Sequence, residues 1–211
     1  IMSVIGNTAL SFSDEQAMLL DVARQFCRDR SPIAKVRAQL ETATGYDQAM
    51  WDEMVALGWA GIALPESCGG SGMGVATLVP VVEAMGRAML GTPLISSALA
   101  AQLLLRAGNS EQAERLLPAL AAGAPATLAL LENGDWGSET VALELDQDGV
   151  LHGAKKYVPD ATVATLFVVC VKHRGETALA VVHAEQLGAG ALQPNTLIDQ
   201  TKRSANVDFS G

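Results

Sequence analysis

The chain has 211 residues, 49% of them hydrophobic, with a formal net charge of −9 and a pI near 4.7. That length and apolar content can fill one large or two small globular cores. The acidity excludes a general polyanion-binding surface, since a nucleic-acid partner requires a local basic patch and none is visible.

The adjacent pairs Lys155, Lys156 and Lys202, Arg203 read as solvated strand-edge charge. The longest uncharged stretch, 88–105, is interrupted by Gly91, Thr92, Pro93, Ser96, Ser97 and Gln102, so it reads as a buried helix after a turn and not as a membrane span. The N-terminus lacks the basic region and continuous apolar core of a signal peptide, which points to a cytoplasmic location. Cys27, Cys68 and Cys170 form no C-x-x-C pair and read as free thiols. His152, His173 and His183 have no helical i, i+4 pairing, so no metal site is expected.

In chain order, Ser13 can cap a first helix, with Gln16 reaching back and Asp14 and Glu15 at its positive end. Leu19, Val22, Ala23 and Phe26 would form its buried face. Ser31 and Pro32 stop that helix and can start a second. Asp47 caps a third, running through Trp51, Met54 and Val55 to Gly58. The apolar segment 59–65 leads into a flexible loop, 68–74. Further helices are predicted over 75–89, with Pro80 kinking it or shifting its start, over 95–107 closed by Gly108, and over 111–122 closed by Gly123.

Beyond Gly123 the hydrophobic period shortens, and strands are predicted over 126–131, 139–145, 150–158, 165–171, 178–183 and 205–209. Val141, Leu143 and Leu145 alternate with Ala142 and Glu144, and Asp146 to Gly149 form a turn. The fold class is therefore α+β. An all-α domain, 1–123, precedes a small antiparallel β-barrel or sandwich domain, 124–211.

The loop Gly69-Gly70-Ser71-Gly72-Met73-Gly74 fits neither of two catalytic patterns. Met73 occupies the last position of a G-x-S-x-G elbow, and Val75 stands where a dinucleotide fingerprint needs its third glycine. In its surroundings, however, the run from Leu57-Gly58 through Pro65-Glu66-Ser67-Cys68-Gly69-Gly70-Ser71-Gly72 resembles the acyl-CoA dehydrogenase segment P-E-x-x-G-G-x-G. Gly108 to Gly123 is similar to that family's G-[ST]-x-E-Q-K-x-x-x-L-P-x-L-x-x-G. With two motifs in the right order, the chain is identified as a member of the family.

Leu151-His152-Gly153-Ala154-Lys155-Lys156-Tyr157-Val158-Pro159-Asp160-Ala161 resembles the family's L-N-G-x-K-x-W-I-T-N-A, whose strand lies against the flavin. Residues 130–139 more weakly resemble x-T-E-P-x-A-G-S-D. The resemblance implies FAD contacts at Leu130, Leu131, Ser138, Tyr157, Val158 and Pro159, with Ser138 also facing the acyl thioester. It implies α,β-dehydrogenation of an acyl-CoA, in which a carboxylate takes the α-proton and flavin N5 accepts the β-hydride. It further implies electron-transfer flavoprotein as acceptor and a homo- or hetero-oligomeric dimer of dimers, a tetramer.

Three departures matter. Tyr157 replaces Trp, while Leu131 and Pro159 replace threonines that bond the flavin edge; leucine has no donor, and proline lacks even the amide hydrogen. The family's catalytic glutamate lies in a later helical domain, and no carboxylate among these 211 residues is assigned that role. Two expectations follow: a flavoprotein dehydrogenase subunit, or a degenerate, non-catalytic partner in a hetero-oligomer, which the losses at Leu131 and Pro159 favour.

Overall fold

The computed structural model describes residues 12–107, 110–133 and 140–211. Among the described residues six α-helices come first: α1 Asp14–Arg30, α2 Ile33–Leu40, α3 Gln48–Ala56, α4 Val79–Arg87, α5 Leu94–Arg106 and α6 Ser110–Ala121. Eight described strands follow: β1 Ala126–Ala129, β2 Glu144–Leu145, β3 Leu151–His152, β4 Ala154–Pro159, β5 Leu166–His173, β6 Glu176–His183, β7 Leu192–Pro194 and β8 Ser204–Asp208. The α+β class stands. Among the described residues, no helix is long and apolar enough to cross a membrane.

Helix starts follow side-chain chemistry. The Ser13 hydroxyl accepts from the Gln16 amide at 3.2 Å while the Gln16 side chain accepts from the Ser13 amide at 3.1 Å, satisfying two donors the helix cannot. Asp47 accepts from the Ala49 and Met50 amides at the head of α3. The buried face of α1 is rotated by about one residue from the expected stripe: Leu20, Ala23 and Cys27 are buried, whereas Val22 is 49% exposed. Pro80 shifts its helix and does not kink it. A 3-10 turn, Val75–Leu78, precedes α4, which carries Pro80 in its first turn, where no amide hydrogen is needed.

The glycine-rich loop is stitched down, contrary to the flexible loop expected. The Gly70 amide donates to Pro65, Ser71 to Gly61, Gly72 to Leu64 and Met73 to Ile62, all at 2.8–3.1 Å. A Cβ on Gly70 would lie 2.2 Å from the Leu64 carbonyl oxygen, so this crossing of two backbone segments requires glycine.

The β region corrects the antiparallel barrel. β5 pairs β1 in parallel and β6 antiparallel, and meets β2 in parallel at Glu144 and Lys172; β2 also pairs β3. A second sheet, β4-β8-β7, is antiparallel. The larger sheet is thus mixed, and the described strands form two sheets and not a closed barrel. β5 is buried on both sides. Leu166 and Val168 pack with Leu116, Leu117 and Leu120 of α6, while Phe167, Val169 and Val171 pack with Val158, Ala205 and Val207 of the second sheet. A strand covered on both faces is a run of apolar residues and accepts a parallel neighbour.

Two other strands depart from expectation. Only Glu144–Leu145 of the 139–145 segment is strand, and residue 139 lies outside the described residues. The Ala142 and Leu143 amides donate to the Glu132 carboxylate instead of to a neighbouring strand. The 150–158 strand breaks at Gly153, where φ is +139°. β7, ending on Pro194 at a sheet edge, was not foreseen; an edge tolerates the missing donor.

Candidate functional site

Of the residues expected to face a cofactor, Leu130 and Leu131 lie on the chain leaving β1, which runs beside β4 with Tyr157, Val158 and Pro159. The Lys156 amide donates to the Leu131 carbonyl at 2.7 Å, and the Thr127 hydroxyl donates to the Pro159 carbonyl at 2.6 Å. Leu131 is thus held beside Lys156 and Pro159 beside Thr127, at opposite ends of the same stretch of β4. Ser138, with the rest of 134–139, lies outside the described residues.

β4 bulges at this point. Lys155 pairs with Val207 and Val158 with Ala205, leaving Lys156 and Tyr157 opposite Asn206 alone. Tyr157 takes φ of +52°, its amide donates to the Asn206 side chain at 3.2 Å, and it is 54% exposed. Val158 points the other way, into the core between the sheets. Bulges turn a side chain away from the alternation of a regular strand, which here presents the Tyr157 ring to the outside.

Lys155 points inward, correcting its reading as a solvated charge. Lys155 is fully buried; its Nζ lies 2.5 Å from Glu132 Oε1 and donates to the Leu130 carbonyl at 3.2 Å. Burial pushes the Glu132 carboxyl up, but the Lys155 ammonium and the Leu143 and Ala142 amides outweigh it, and the net shift is downward. Glu132 therefore ties together the end of β1, β4 and the segment leading to β2.

Arg203 is also no solvated edge charge. Its guanidinium donates to the Gln39, Leu40 and Thr42 carbonyls at 2.9–3.1 Å, closing the C-terminal end of α2, and to Gln200 and Lys202.

Beside Pro159 opens a cavity of about 210 Å³, walled by Tyr46, Thr92, Ile95, Ser96, Leu99 and Asp160. Asp160 has φ of +51°, and its amide donates to the Arg203 carbonyl at 3.0 Å. Its Oδ2 accepts from the Ser96 hydroxyl at 2.6 Å. Burial raises the Asp160 carboxyl above the usual aspartate range, against the pull of Ser96 and Lys202. The Tyr46 hydroxyl donates to Gln48 at 3.0 Å; burial raises its pKa, with Asp160 and then Asp52 adding to the effect. No sequence signal marked Asp160 beyond its place after Pro159. The cavity depends on α5, more than sixty positions earlier in the chain.

Among the described residues no three His, Cys, Asp or Glu side chains gather as a metal site. Burial pushes the Cys27 thiol up to about 11 and raises that of Cys170, so both disfavour the thiolate at neutral pH.

A helical layer thus packs on a two-sheet β unit, with a cavity where α5 meets the end of β4. Residues 13–124, more than half of the chain, match the family model described as the acyl-CoA dehydrogenase N-terminal domain, and the chain belongs to the acyl-CoA dehydrogenase family. Benzylmalonyl-CoA dehydrogenase of Aromatoleum aromaticum is 28% identical over 183 residues, covering 82% of this chain and 48% of that protein. Acyl-CoA dehydrogenase IpdE2 of Mycobacterium tuberculosis is 32% identical over 141 residues, covering 66% of this chain and 39% of that one. The chain thus spans at most about half the length of these curated relatives. Among solved structures, a variant of the Tcur3481-Tcur3483 steroid acyl-CoA dehydrogenase superposes with a TM-score of 0.80 at 29% identity, over 93% of this chain and 55% of that one. The ChsE4-ChsE5 complex of Mycobacterium tuberculosis gives 0.79 at 23% identity, over 95% of this chain and 55% of that one, a likeness of fold.

Proposed function

We propose that this chain is an acyl-facing subunit of a hetero-oligomeric acyl-CoA dehydrogenase, in which a sister chain supplies the catalytic base and the polar contacts to FAD. The observation that carries this reading is the state of the polar groups at the flavin-facing positions. Leu131 and Pro159 have no side-chain donor, their carbonyls accept from Lys156 and Thr127, and Pro159 has no amide hydrogen. Neither side chain can donate a hydrogen bond to the edge of an isoalloxazine. The cavity beside Pro159 is where this chain would face the acyl group.

The relative named as Tcur3481-Tcur3483 carries two components in its name and is 29% identical to this chain, which supports a partnered subunit. In such an assembly FAD would accept the β-hydride and pass electrons to an electron-transfer flavoprotein, a tetramer being the arrangement the family resemblance implies. The test is dye-linked oxidation of acyl-CoA thioesters with excess FAD. The 211-residue chain alone should give no turnover, and a turnover above the free-flavin blank would overturn the proposal.

One observation favours a second reading, a flavin-binding subunit in its own right. The bulge holds the Tyr157 ring outward and 54% exposed where the family places an indole beside the flavin. A ring so placed can stack on an isoalloxazine without donating a hydrogen bond. Tyr157→Ala would then abolish flavin binding, whereas under the first reading it changes nothing.

A further inference from the structure

We propose that the free edge of β6 pairs with the β6 of a second copy of this chain, the two strands running antiparallel about a two-fold axis at Leu179. The inference goes beyond the proposed function and does not rest on it.

The ladder decides which backbone groups face outward. β6 pairs with β5 alone, in an unbroken register from Glu176 to His183. The Lys172 amide donates to Leu143, away from β6, at 2.8 Å, and the Ala184 amide donates to Thr165 at 3.0 Å. Backbone groups alternate sides along a strand. Ala178, Ala180 and Val182 therefore bond to β5, whereas Thr177, Leu179 and Val181 turn their amides and carbonyls outward. Among the described residues none of those outward groups has a hydrogen-bond partner.

Native proteins blunt an edge strand by shortness, proline, a bulge or charge. β7 has three residues and ends on Pro194, β3 has two, and β4 bulges at Tyr157. β6 has eight residues, and Thr177-Ala178-Leu179-Ala180-Val181-Val182 carries no charge, proline or bulge. Both of its faces are packed, Leu179 and Val181 on the α6 side and Ala178, Ala180 and Val182 on the side of the second sheet, yet these side chains are only half-buried. β5, one strand further in, is buried from Leu166 to Val169. The missing cover thus lies along the edge. A groove of about 520 Å³ opens there, and an added strand sits only about 4.8 Å from its neighbour.

Two features select a second copy of this chain. β6 is complementary to itself: with Leu179 opposite its own counterpart, Thr177 falls opposite Val181 and Ala178 opposite Ala180. Every outward amide and carbonyl then meets a partner, and only small side chains oppose each other on the second-sheet side. The strand ends are also complementary in charge. Arg174 and Glu185 are exposed, lie at opposite ends of β6 and have no ion-pair partner among the described residues. Antiparallel pairing brings Arg174 of each copy beside Glu185 of the other, and Glu176 beside His183. The net charge of −9 resists association in general, so the pairing depends on these local contacts.

Sedimentation velocity of the 211-residue chain across a dilution series that reaches NMR concentration should show a reversible monomer–dimer equilibrium. Amide hydrogen exchange should slow at Thr177, Leu179 and Val181 only where the dimer is populated. Ala178, Ala180 and Val182, bonded to β5, should stay protected throughout and so report an intact fold. Arg174→Glu should weaken the dimer about three- to thirtyfold, and Arg174→Glu/Glu185→Arg should restore it. A chain that stays monomeric at every concentration, a dimer in which Thr177, Leu179 and Val181 exchange as fast as in the monomer, or a charge reversal that the double swap does not rescue would each overturn the assignment. No arm involves flavin or turnover, so a failure here stands apart from a failure of the proposed function.

Discussion

Asp160 combines two features that work against an ionised aspartate in the folded chain. Its φ of +51° lies in the left-handed region, which aspartate and asparagine tolerate better than most residues, and burial raises its pKa. A raised folded pKa means that the fold prefers the protonated carboxyl. That preference is fully present below the unfolded value near 3.8 and is lost as pH rises through the folded value. Asp160→Asn, neutral at every pH and equally tolerant of the backbone, should therefore melt higher than the parent at pH 7, with the gap closing towards pH 4. Thermal melts at the two pH values check this, and a lower melting temperature at pH 7 would mean that the charged bond to Ser96 outweighs burial. The Lys155 and Glu132 pair has the opposite sense. The lowered Glu132 pKa contributes stability at neutral pH that is lost as pH falls through its folded value. Lys155→Met leaves a mostly buried carboxylate without its ammonium and should cost about 3–5 kcal/mol, whereas adding Glu132→Gln should recover part of that loss. Chemical denaturation of the three proteins measures it, and strict additivity would contradict a coupled pair. Both residues lie in the motif-like segments of the sequence. Their partnership across 23 positions is not visible there, because it depends on the chain leaving β1 running beside β4.

Elements governed by local chemistry were legible. Ser13 with Gln16, Asp47 and Gly58 mark real helix boundaries, since a cap depends on residues within one turn. Elements governed by remote partners were not. The 139–145 segment alternates as a strand should, yet the carboxylate of Glu132 takes its amides, and β7 exists because β8 offers it an edge. The glycine loop also depends on a remote contact. Its pattern suggested freedom, but Gly70 is fixed by the approach of Leu64. Gly70→Ala should destabilise by at least about 1–3 kcal/mol, because the new Cβ meets backbone and not a side chain that can swing away. Gly72→Ala, whose nearest contact would be the Glu66 Cγ at 3.8 Å, faces only its φ of +67° and should cost less. Equal costs in denaturant titrations would contradict the crowding argument.

For the molecule as a whole, the change from helix to strand at Gly123 was plain in the hydrophobic period, but the two regions share a core. Ala100, Leu104, Leu117 and Leu120 pack with Ala126, Leu166 and Val168, and the Trp51 indole donates to the Gly123 carbonyl at 2.9 Å. Sequence pattern sees each region's period and not the face they share, so the parallel pairing of β1 with β5 beneath α5 and α6 stayed hidden. The same holds for the site. Leu131 and Pro159 are read from the sequence as departures from the family pattern, whereas the cavity beside Pro159 needs α5 and the 44–46 loop brought to the end of β4. The central claim is that this chain belongs to the acyl-CoA dehydrogenase family and yet has no side-chain donor at Leu131 and Pro159, two positions where the family resemblance places flavin contacts. Calorimetric titration of FAD against the parent and against Leu131→Thr/Pro159→Thr tests it most directly, ideally with the natural partner chain present. Two restored hydrogen bonds should tighten binding about five- to a hundredfold over a weak or undetectable parent; tight binding by the parent, or unchanged affinity in the double variant, would contradict the account.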